Sequence, residues 1–477
     1  MGPHLKSAIR NYALLFFGCL LFHVAGTWSL PLIDRDEPRF AEASREMIER
    51  GDYVVPYFNN QVRLDKPPLT YWAQTASYKI FGENDFAARL PTAIAAALVA
   101  VLLLEWGTRI RNERAGWWAA IVFTLALQTF VHGKAAVADM WLVLFFTLAH
   151  RSGWELLFQH PKRRIFWWIF YVSLAFGFLA KGPVAWTSLL TVAVVKPFYP
   201  EKRLSARFRF APGLALMLVI VCVWAVPALA RTHGDFFRIG ILHHVVGRSF
   251  SVMEGHGASS PLMYLVLLPF YFAAVFVSFF PWSIKLPALW TELRSNRDAS
   301  DTFLVTGILI VFGIFTLVKT KLPHYTLPAF PLLALLVARR FDSLRLSRRL
   351  VISTAIVYVG VALFVTPSLR RFFPSYILAR ESRGDLKPEM EFGAIDYNEP
   401  SLVWYFRDRV RGFMTTLKAK DAVSYMAKPG ARFIVLPSKT AAVVFPDPEP
   451  SWRRHRVTGF NVAKGQRVDL TLFLKPQ

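Results

Sequence analysis

Two motifs within the first seventy residues set acids and bases side by side next to proline, in a pattern suited to chemistry on a phosphate ester. Asp34-Arg35-Asp36-Glu37-Pro38-Arg39 opens a long polar segment, and Asp65-Lys66-Pro67-Pro68 follows further along it. A carboxylate there can orient or deprotonate an acceptor hydroxyl, while Arg and Lys stabilise negative charge growing on a departing phosphate. Two prolines after Asp65-Lys66 fix the local backbone, so both side chains are presented in a defined direction. The plainer alternative for the second motif is a surface turn.

More polar residues punctuate short turns between apolar runs: Lys134 and Asp139, then Lys181, then Lys319, Lys321, His324 and Tyr325. Lysines near the ends of membrane spans often only reach for the interface. Taken together, several cations and few acids suit the head group of an anionic lipid. A second long polar segment, 231–261, carries His243, His244, Arg248, Glu254 and His256. Their spacing matches no specific metal site, and Arg248 reads as a phosphate contact. No metal ligand or cofactor is assigned, although a divalent cation stays open.

The elements that must hold these residues are apolar helices. Of the 477 residues 54% are hydrophobic and only 18% charged, against roughly a quarter charged in soluble domains. Apolar stretches near the ~20 residues that cross a bilayer begin at about 11–33, 86–106, 116–131, 136–150, 165–180 and 183–196. Others lie at about 212–230, 262–284, 302–318, 325–338 and 350–366. The first is long for a signal-peptide core and lacks a small-residue cleavage site, so it reads as a span. The expectation is an α-helical polytopic membrane protein with about eleven or more transmembrane helices.

A net charge of +24 would suggest nucleic acid for a soluble protein. Here the excess sits on alternate loops: with the N-terminus in the cytoplasm, the cytoplasmic segments hold 22 Lys and Arg against 8 Asp and Glu. That is the positive-inside pattern, and no nucleic-acid partner is expected. An odd number of spans places the region after 366 outside. Cys19 and Cys222 both lie in apolar runs and suggest no disulfide framework.

Two domains follow: a membrane domain over 1–366, with long outer loops at 34–89 and 231–261, and a small soluble α/β domain over 367–477. In the latter, strand-like stretches at Glu391–Tyr397, Arg432–Pro437, Val457–Val462 and Val468–Leu474 surround helix-like stretches at Pro400–Arg407 and Lys418–Ala427. In the first outer loop, Phe40, Ala43, Met47 and Ile48 recur at helical spacing. They predict an amphipathic helix over 37–50 on the membrane surface, with Asp36 as its N-cap. Glu42 with Arg45 and Glu46 with Arg50 then read as pairs that solvate its polar face.

No Gly-rich phosphate loop or nucleotide-binding signature occurs, so a sugar donor would be lipid-linked rather than a cytoplasmic nucleotide. At this point the motifs carry a likeness. Asp36-Glu37-Pro38-Arg39-Phe40-Ala41-Glu42, Gly51-Asp52-Tyr53 and Asp65-Lys66-Pro67-Pro68-Leu69-Thr70-Tyr71-Trp72 resemble the first outer loop of bacterial lipid A aminoarabinose transferases. These are relatives of the protein mannosyltransferases within the C-type glycosyltransferases. Ala138-Asp139-Met140, Phe178-Leu179-Ala180-Lys181-Gly182, Gly255-His256-Gly257, Pro281-Trp282 and Lys321-Leu322-Pro323-His324-Tyr325 follow in the family's order.

The resemblance implies the C-type glycosyltransferase fold and an inner-membrane enzyme, a hexosyl- or pentosyltransferase. It would move a monosaccharide from a polyprenyl (undecaprenyl) phosphate to lipid A or a related glycan on the periplasmic side, with transfer to protein as the alternative. By the same resemblance Asp36 and Asp139 match catalytic carboxylates, and Arg39, Lys66, Arg248 and Lys181 match donor-phosphate contacts. Glu37, Asp65, His256, Lys321 and Tyr325 match the substrate cavity. Relatives often carry Glu where Asp65 stands. A lipid or solute transporter is the non-enzymatic rival, but its usual internal symmetry is not evident.

Overall fold

The computed structural model describes residues 3–159, 164–199, 204–240, 260–341 and 345–476. Every one of the eleven apolar stretches contains a helix. Five helices among the described residues are long and apolar enough to cross a membrane: Ser7–Val24, Asp85–Ile110, Ala206–Arg231, Ala299–Leu317 and Arg348–Phe372. Pro261–Leu267 with Phe270–Ser278, bent by 43°, forms a sixth if the pair is one span. The helix in the first stretch ends at Val24, so residues 25–33 are not part of it. Only 17% of the Ser7–Val24 window is covered by protein, against 72% for Asp85–Ile110. Phe17, Leu21, Val223 and Phe364 stand exposed, and such outward faces are stable only in an apolar solvent.

The chain divides into two compact units. The first comprises Met1–Val24, Leu64–Thr70 and Leu90–Val359, and the second Ala25–Arg63, Tyr71–Arg89 and Gly360–Gln477. The unit that contains the C-terminal region thus also takes in most of the first polar loop, a division that differs from one placed at residue 367.

In the first unit, fully buried Trp106, Phe123, Phe146, Tyr171, Tyr271, Trp282, Phe303 and Phe330 fill the space between helices. Helices 85–110 and 113–124 approach so closely that a Cβ on Gly107 would lie 2.6 Å from the Cα of Gly116, the use to which membrane helices put small residues. Asn112 caps the second of these by accepting from the Ala115 amide. Asp298 and Asp301 form a reciprocal capping box at the start of Ala299–Leu317. Several bases counted above as orientation signals have partners: Arg151 lies 2.8 Å from both Glu105 and Glu155, and Arg339 lies 2.8 Å from Asp301.

In the second unit, β1 (Tyr57–Phe58) and β2 (Gln61–Val62) make a minimal antiparallel pair. The other strands form one mixed sheet. Parallel β3 (Glu391–Ile395) lies between β4 (Met414–Leu417) and β5 (Arg432–Pro437), while β7 (Gln466–Lys475) runs antiparallel between β5 and edge strand β6 (Arg453–Asn461). Strand β5 is buried on both faces: Phe433 and Val435 enter one core, Ile434 and Leu436 the other. Edge strand β6 instead alternates exposed Arg454 and Arg456 with more covered positions, a charge pattern that discourages further strand addition. Strand β4 and the helices Pro374–Glu381 and Ser438–Val444 were not expected from the sequence.

The helix predicted over 37–50 is present, as Asp36–Arg50, but it does not lie on a surface: residues 37–47 are all buried except Arg39, which is half-buried. Its polar face is covered. Arg45 donates to Glu42 at 2.7 Å and to Glu83 at 2.7 Å, and its guanidinium lies 4.0 Å from the Trp404 ring centroid. Arg407 pairs with Glu42 and, at 2.7 Å, with Glu49. Glu42 and Arg45, expected to face water, are therefore desolvated and tie the helix to the segment that follows Pro400–Phe406, while Arg50, 3.5 Å from buried Glu46, stays exposed. Asp36 is not the N-cap; Arg35 holds that position without a side-chain capping bond, and Asp36 is the first helical residue. Gly51 ends the helix with φ of 66°, a conformation that favours glycine. Arg407→Ala should strip the buried Glu42 of a partner and cost about 3–5 kcal/mol. Thermal or denaturant unfolding of the purified protein in detergent tests this, and an unchanged transition would refute it.

Candidate functional site

Three helix ends and one turn of the first unit bring a small set of polar side chains together. His132 is the last residue of Leu127–His132, and Asp139 is the first of Asp139–Phe158. Lys181 ends Ile165–Lys181, where Gly182 at φ 81° breaks the helix. His324 and Tyr325 lie in the tight helical turn Pro323–Ala329 that precedes Phe330–Arg339. Asp139 stands in the first turn of its helix, where the helix dipole favours a negative charge.

Lys181 Nζ lies 2.6 Å from Asp139 Oδ1, an ion pair with its carboxylate only 7% exposed. The same ammonium is 5.8 Å from the Tyr325 ring centroid, inside cation–π range. The rings of His132 and His324 are 5.1 Å apart, and His324 meets Tyr325 edge-on at 5.1 Å. One nitrogen from each histidine and one oxygen of Asp139 all fall within 4.8 Å of one another. Burial holds the His324 imidazole down to about 3; Asp139 opposes this, while Lys181, His132 and Lys66 act in the same direction as burial. Lys66 is thus electrostatically coupled to the cluster from the Asp65-Lys66-Pro67-Pro68 turn, where both Asp65 and Lys66 are half-buried.

Two other lysines that read as pocket cations have structural work. Lys321 Nζ donates to the carbonyls of Phe315 and Thr316, at 3.0 and 2.5 Å, and so closes the C-terminus of Ala299–Leu317. Lys134 Nζ does the same for Phe22 and His23 at the end of Pro3–Val24, at 2.6 and 3.0 Å. A cation there satisfies carbonyls that the helix leaves without partners. Lys321 is buried against Tyr264 and Tyr271, so its placement among substrate-cavity residues is not what its contacts suggest.

In the second unit Asp36 is exposed, and Arg39 is half-buried. Neither has a hydrogen bond or ion pair among the described residues. Glu37 is different. It is buried and gripped by Arg89 through both oxygens, at 2.8 and 2.7 Å, while it accepts from the Ile33 amide at 2.8 Å. Arg89 also donates to the carbonyls of Thr27, Leu30 and Pro31. Glu37 therefore anchors the segment leading into the helix, and its neighbour Asp36 remains available. Arg248 and His256 lie outside the described residues, as do His243, His244 and Glu254.

His132 was given no role from the sequence, and neither was Gln128, 2.8 Å from His132 Nδ1. A signal for His132 exists in hindsight: a histidine just before a turn, with an acid just after it. The turn's course, which decides whether they meet, is not written in that spacing.

Asp34, just ahead of the Asp36 helix, accepts from both the amide and the hydroxyl of Ser401. Burial pushes its carboxyl up to about 7, against the pull of those hydrogen bonds. The folded protein then holds a proton that the unfolded chain releases near pH 4. Stability contributed by this group falls as pH rises from about 4 to about 7 and is level above that. Melting temperatures of the parent and Asp34→Asn, compared at pH 5 and pH 8, should show the larger pH-dependent drop in the parent; equal drops would refute the assignment.

Comparison with known proteins bears out the resemblance read from the motifs. Residues 65–226 match the protein family described as dolichyl-phosphate-mannose-protein mannosyltransferase. The undecaprenyl phosphate-alpha-4-amino-4-deoxy-L-arabinose arabinosyl transferase of Yersinia pestis (strain Pestoides F) is 30% identical over 340 residues, covering 70% of this chain and 59% of that protein. The corresponding transferase of Pectobacterium atrosepticum is 29% identical, covering 70% and 58%. The chain thus spans somewhat less than two thirds of the length of these relatives. The crystal structure of ArnT from Cupriavidus metallidurans bound to undecaprenyl phosphate shares its fold, with a TM-score of 0.79 at 20% identity, covering 97% of this chain and 98% of that one. The fold is that of the C-type glycosyltransferases, with a C-terminal sheet.

Proposed function

We propose that this protein transfers a monosaccharide from a polyprenyl phosphate, undecaprenyl phosphate in the first instance, to lipid A or a related lipopolysaccharide glycan. The observation that carries this reading is the buried Lys181–Asp139 pair at 2.6 Å, with Lys66 coupled to the same cluster, in a fold shared with a protein crystallised with undecaprenyl phosphate. Apolar helices around a cationic cluster give a lipid phosphate both its solvents. The tail dissolves in the bilayer, and the head group finds charge.

In this reading Lys66, Arg39, Arg248 and Lys181 take the phosphate of the donor, and the negative charge that develops as the sugar–phosphate bond breaks falls on them. Asp139 holds Lys181 and aims it. Asp36 orients or deprotonates the acceptor. A hydroxyl acceptor needs that base more than a phosphate monoester, which is already largely ionised near pH 7. Asp65 and Tyr325 border the sugar. Reaction takes place on the periplasmic side of a bacterial inner membrane, with the N-terminus cytoplasmic and the C-terminal region periplasmic. The match of residues 65–226 to protein mannosyltransferases supports one rival, transfer to protein hydroxyls.

Mass spectrometry of lipid A and of glycoproteins, from cells with and without the gene, reads sugar and acceptor together. A sugar lost from lipid A supports the first reading, one lost from protein the second, and no change in either overturns both. In the purified enzyme Asp36→Asn should lower transfer by at least about 10²-fold with an unchanged melting temperature; near-normal transfer would remove Asp36 from catalysis. Lys66→Ala should raise the KM for the lipid donor more than that for the acceptor, and equal effects on both would count against a donor-phosphate role.

A further inference from the structure

The Lys181–Asp139 pair accounts for one oxygen of Asp139 and leaves two histidines beside it without an assigned purpose. His132 and His324 come from different elements, the end of Leu127–His132 and the turn Pro323–Ala329. They face one another with ring centroids 5.1 Å apart. Each offers a nitrogen within 4.8 Å of the other's and of a carboxylate oxygen of Asp139. Two imidazoles and one carboxylate, with no further protein ligand among the described residues, are the donor set of catalytic zinc sites, which keep a position open for water or substrate.

We infer that His132, Asp139 and His324 form a site for a divalent transition-metal ion, zinc by donor type, whose open position takes an oxygen of the donor phosphate. This rests on the transferase reading for its purpose but not for its existence. Zinc sits about 2.0–2.2 Å from such ligands, which puts ligand atoms roughly 3.4 Å apart in a tetrahedral shell. The trio closes by about 1.4 Å at most, which small side-chain rotations supply.

The surroundings fit the assignment. Gln128 is 2.8 Å from His132 Nδ1; with its amide oxygen turned to that nitrogen it accepts the Nδ1 proton, which makes Nε2 the ligating atom. Lys181 occupies Asp139 Oδ1, so the other oxygen is the ligand. The same lysine makes the site unusual. One carboxylate serves both an ammonium and the metal, and Lys66 adds a second positive charge to the surroundings of His324. An empty pocket therefore holds a dication weakly, and an anion that lies between the metal and the lysines relieves the repulsion. Metal and phosphate should bind cooperatively, each raising the affinity of the other by the same factor. When bound, the ion supplies a Lewis acid for the leaving phosphate oxygen, while Lys66 and Lys181 neutralise the remaining charge.

Cobalt(II) substitutes for zinc and reports its own coordination. The full-length protein, purified in detergent and stripped with chelator, should bind one equivalent of cobalt(II) with visible absorption of a four- or five-coordinate site. Inorganic phosphate should tighten that binding about tenfold. His132→Gln and His324→Gln should each abolish the absorption. His324→Cys should keep the metal and add a thiolate-to-cobalt charge-transfer band, a result that mere loss of structure does not give. Lys66→Ala should bind cobalt(II) at least as well as the parent and lose most of the phosphate effect. Absence of cobalt binding in the parent with and without phosphate, or binding that survives both glutamine substitutions, overturns the site. Transfer by the chelated parent at full rate would overturn the metal's catalytic purpose and leave the transferase reading intact. Cobalt binding without any sugar transfer would overturn the transferase reading and leave the site.

Discussion

A carboxylate with no exposure to water must have a cation against it or take up a proton, and Glu42 meets that demand with two arginines of the second unit. Its oxygens are met by Arg45, from the next turn of its own helix, and by Arg407, from beyond the end of Pro400–Phe406. Removing either base leaves the buried charge short of a partner, so two segments distant in sequence, the helix over 36–50 and the stretch after Pro400–Phe406, must be in place together. Glu37 and Arg89 repeat the arrangement at the start of the same helix, where Arg89 also gathers the carbonyls of residues 27–31. Buried ion pairs add little net stability over apolar packing. Their effect is to fix where the helix starts and which way Asp36 leaves it.

Lysines in the first unit divide by what they touch. Lys134 and Lys321 spend their hydrogen bonds on carbonyls at helix C-termini. Lys181 faces a carboxylate and a tyrosine ring, and Lys66 sits in a proline-bounded turn whose charge reaches His324. A backbone carbonyl is a permanent partner, whereas a carboxylate beside two histidines is an arrangement that a ligand can complete. That contrast separates architecture from chemistry among residues of one type, on one sort of turn.

Much of this was legible beforehand. Eleven apolar stretches contain helices because a run of apolar residues in lipid has no other way to satisfy its backbone. Strand β5 matched its expected limits, Arg432–Pro437, since a short, doubly buried apolar run bounded by Pro-Gly and Pro gives a strong signal. Strand β4, Met-Thr-Thr-Leu, was missed because four residues with two exposed threonines carry almost no period. The helix over residues 36–50 was found but set in the wrong surroundings. Charges spaced three and four apart look the same whether they meet water or a distant arginine.

Sequence alone determined the class of the protein: its apolar runs, the basic excess on alternate loops, and acid–base motifs in a recognisable order. These are properties of local composition and spacing, which no fold can rearrange. Only the tertiary structure decided which charges are free. Glu37, Lys134 and Lys321 proved to be committed to partners, and His132 and His324, 192 residues apart by their numbers, proved to be neighbours. A charge's availability depends on what else occupies its few ångströms of space, and that is set by chain segments the local sequence does not contain.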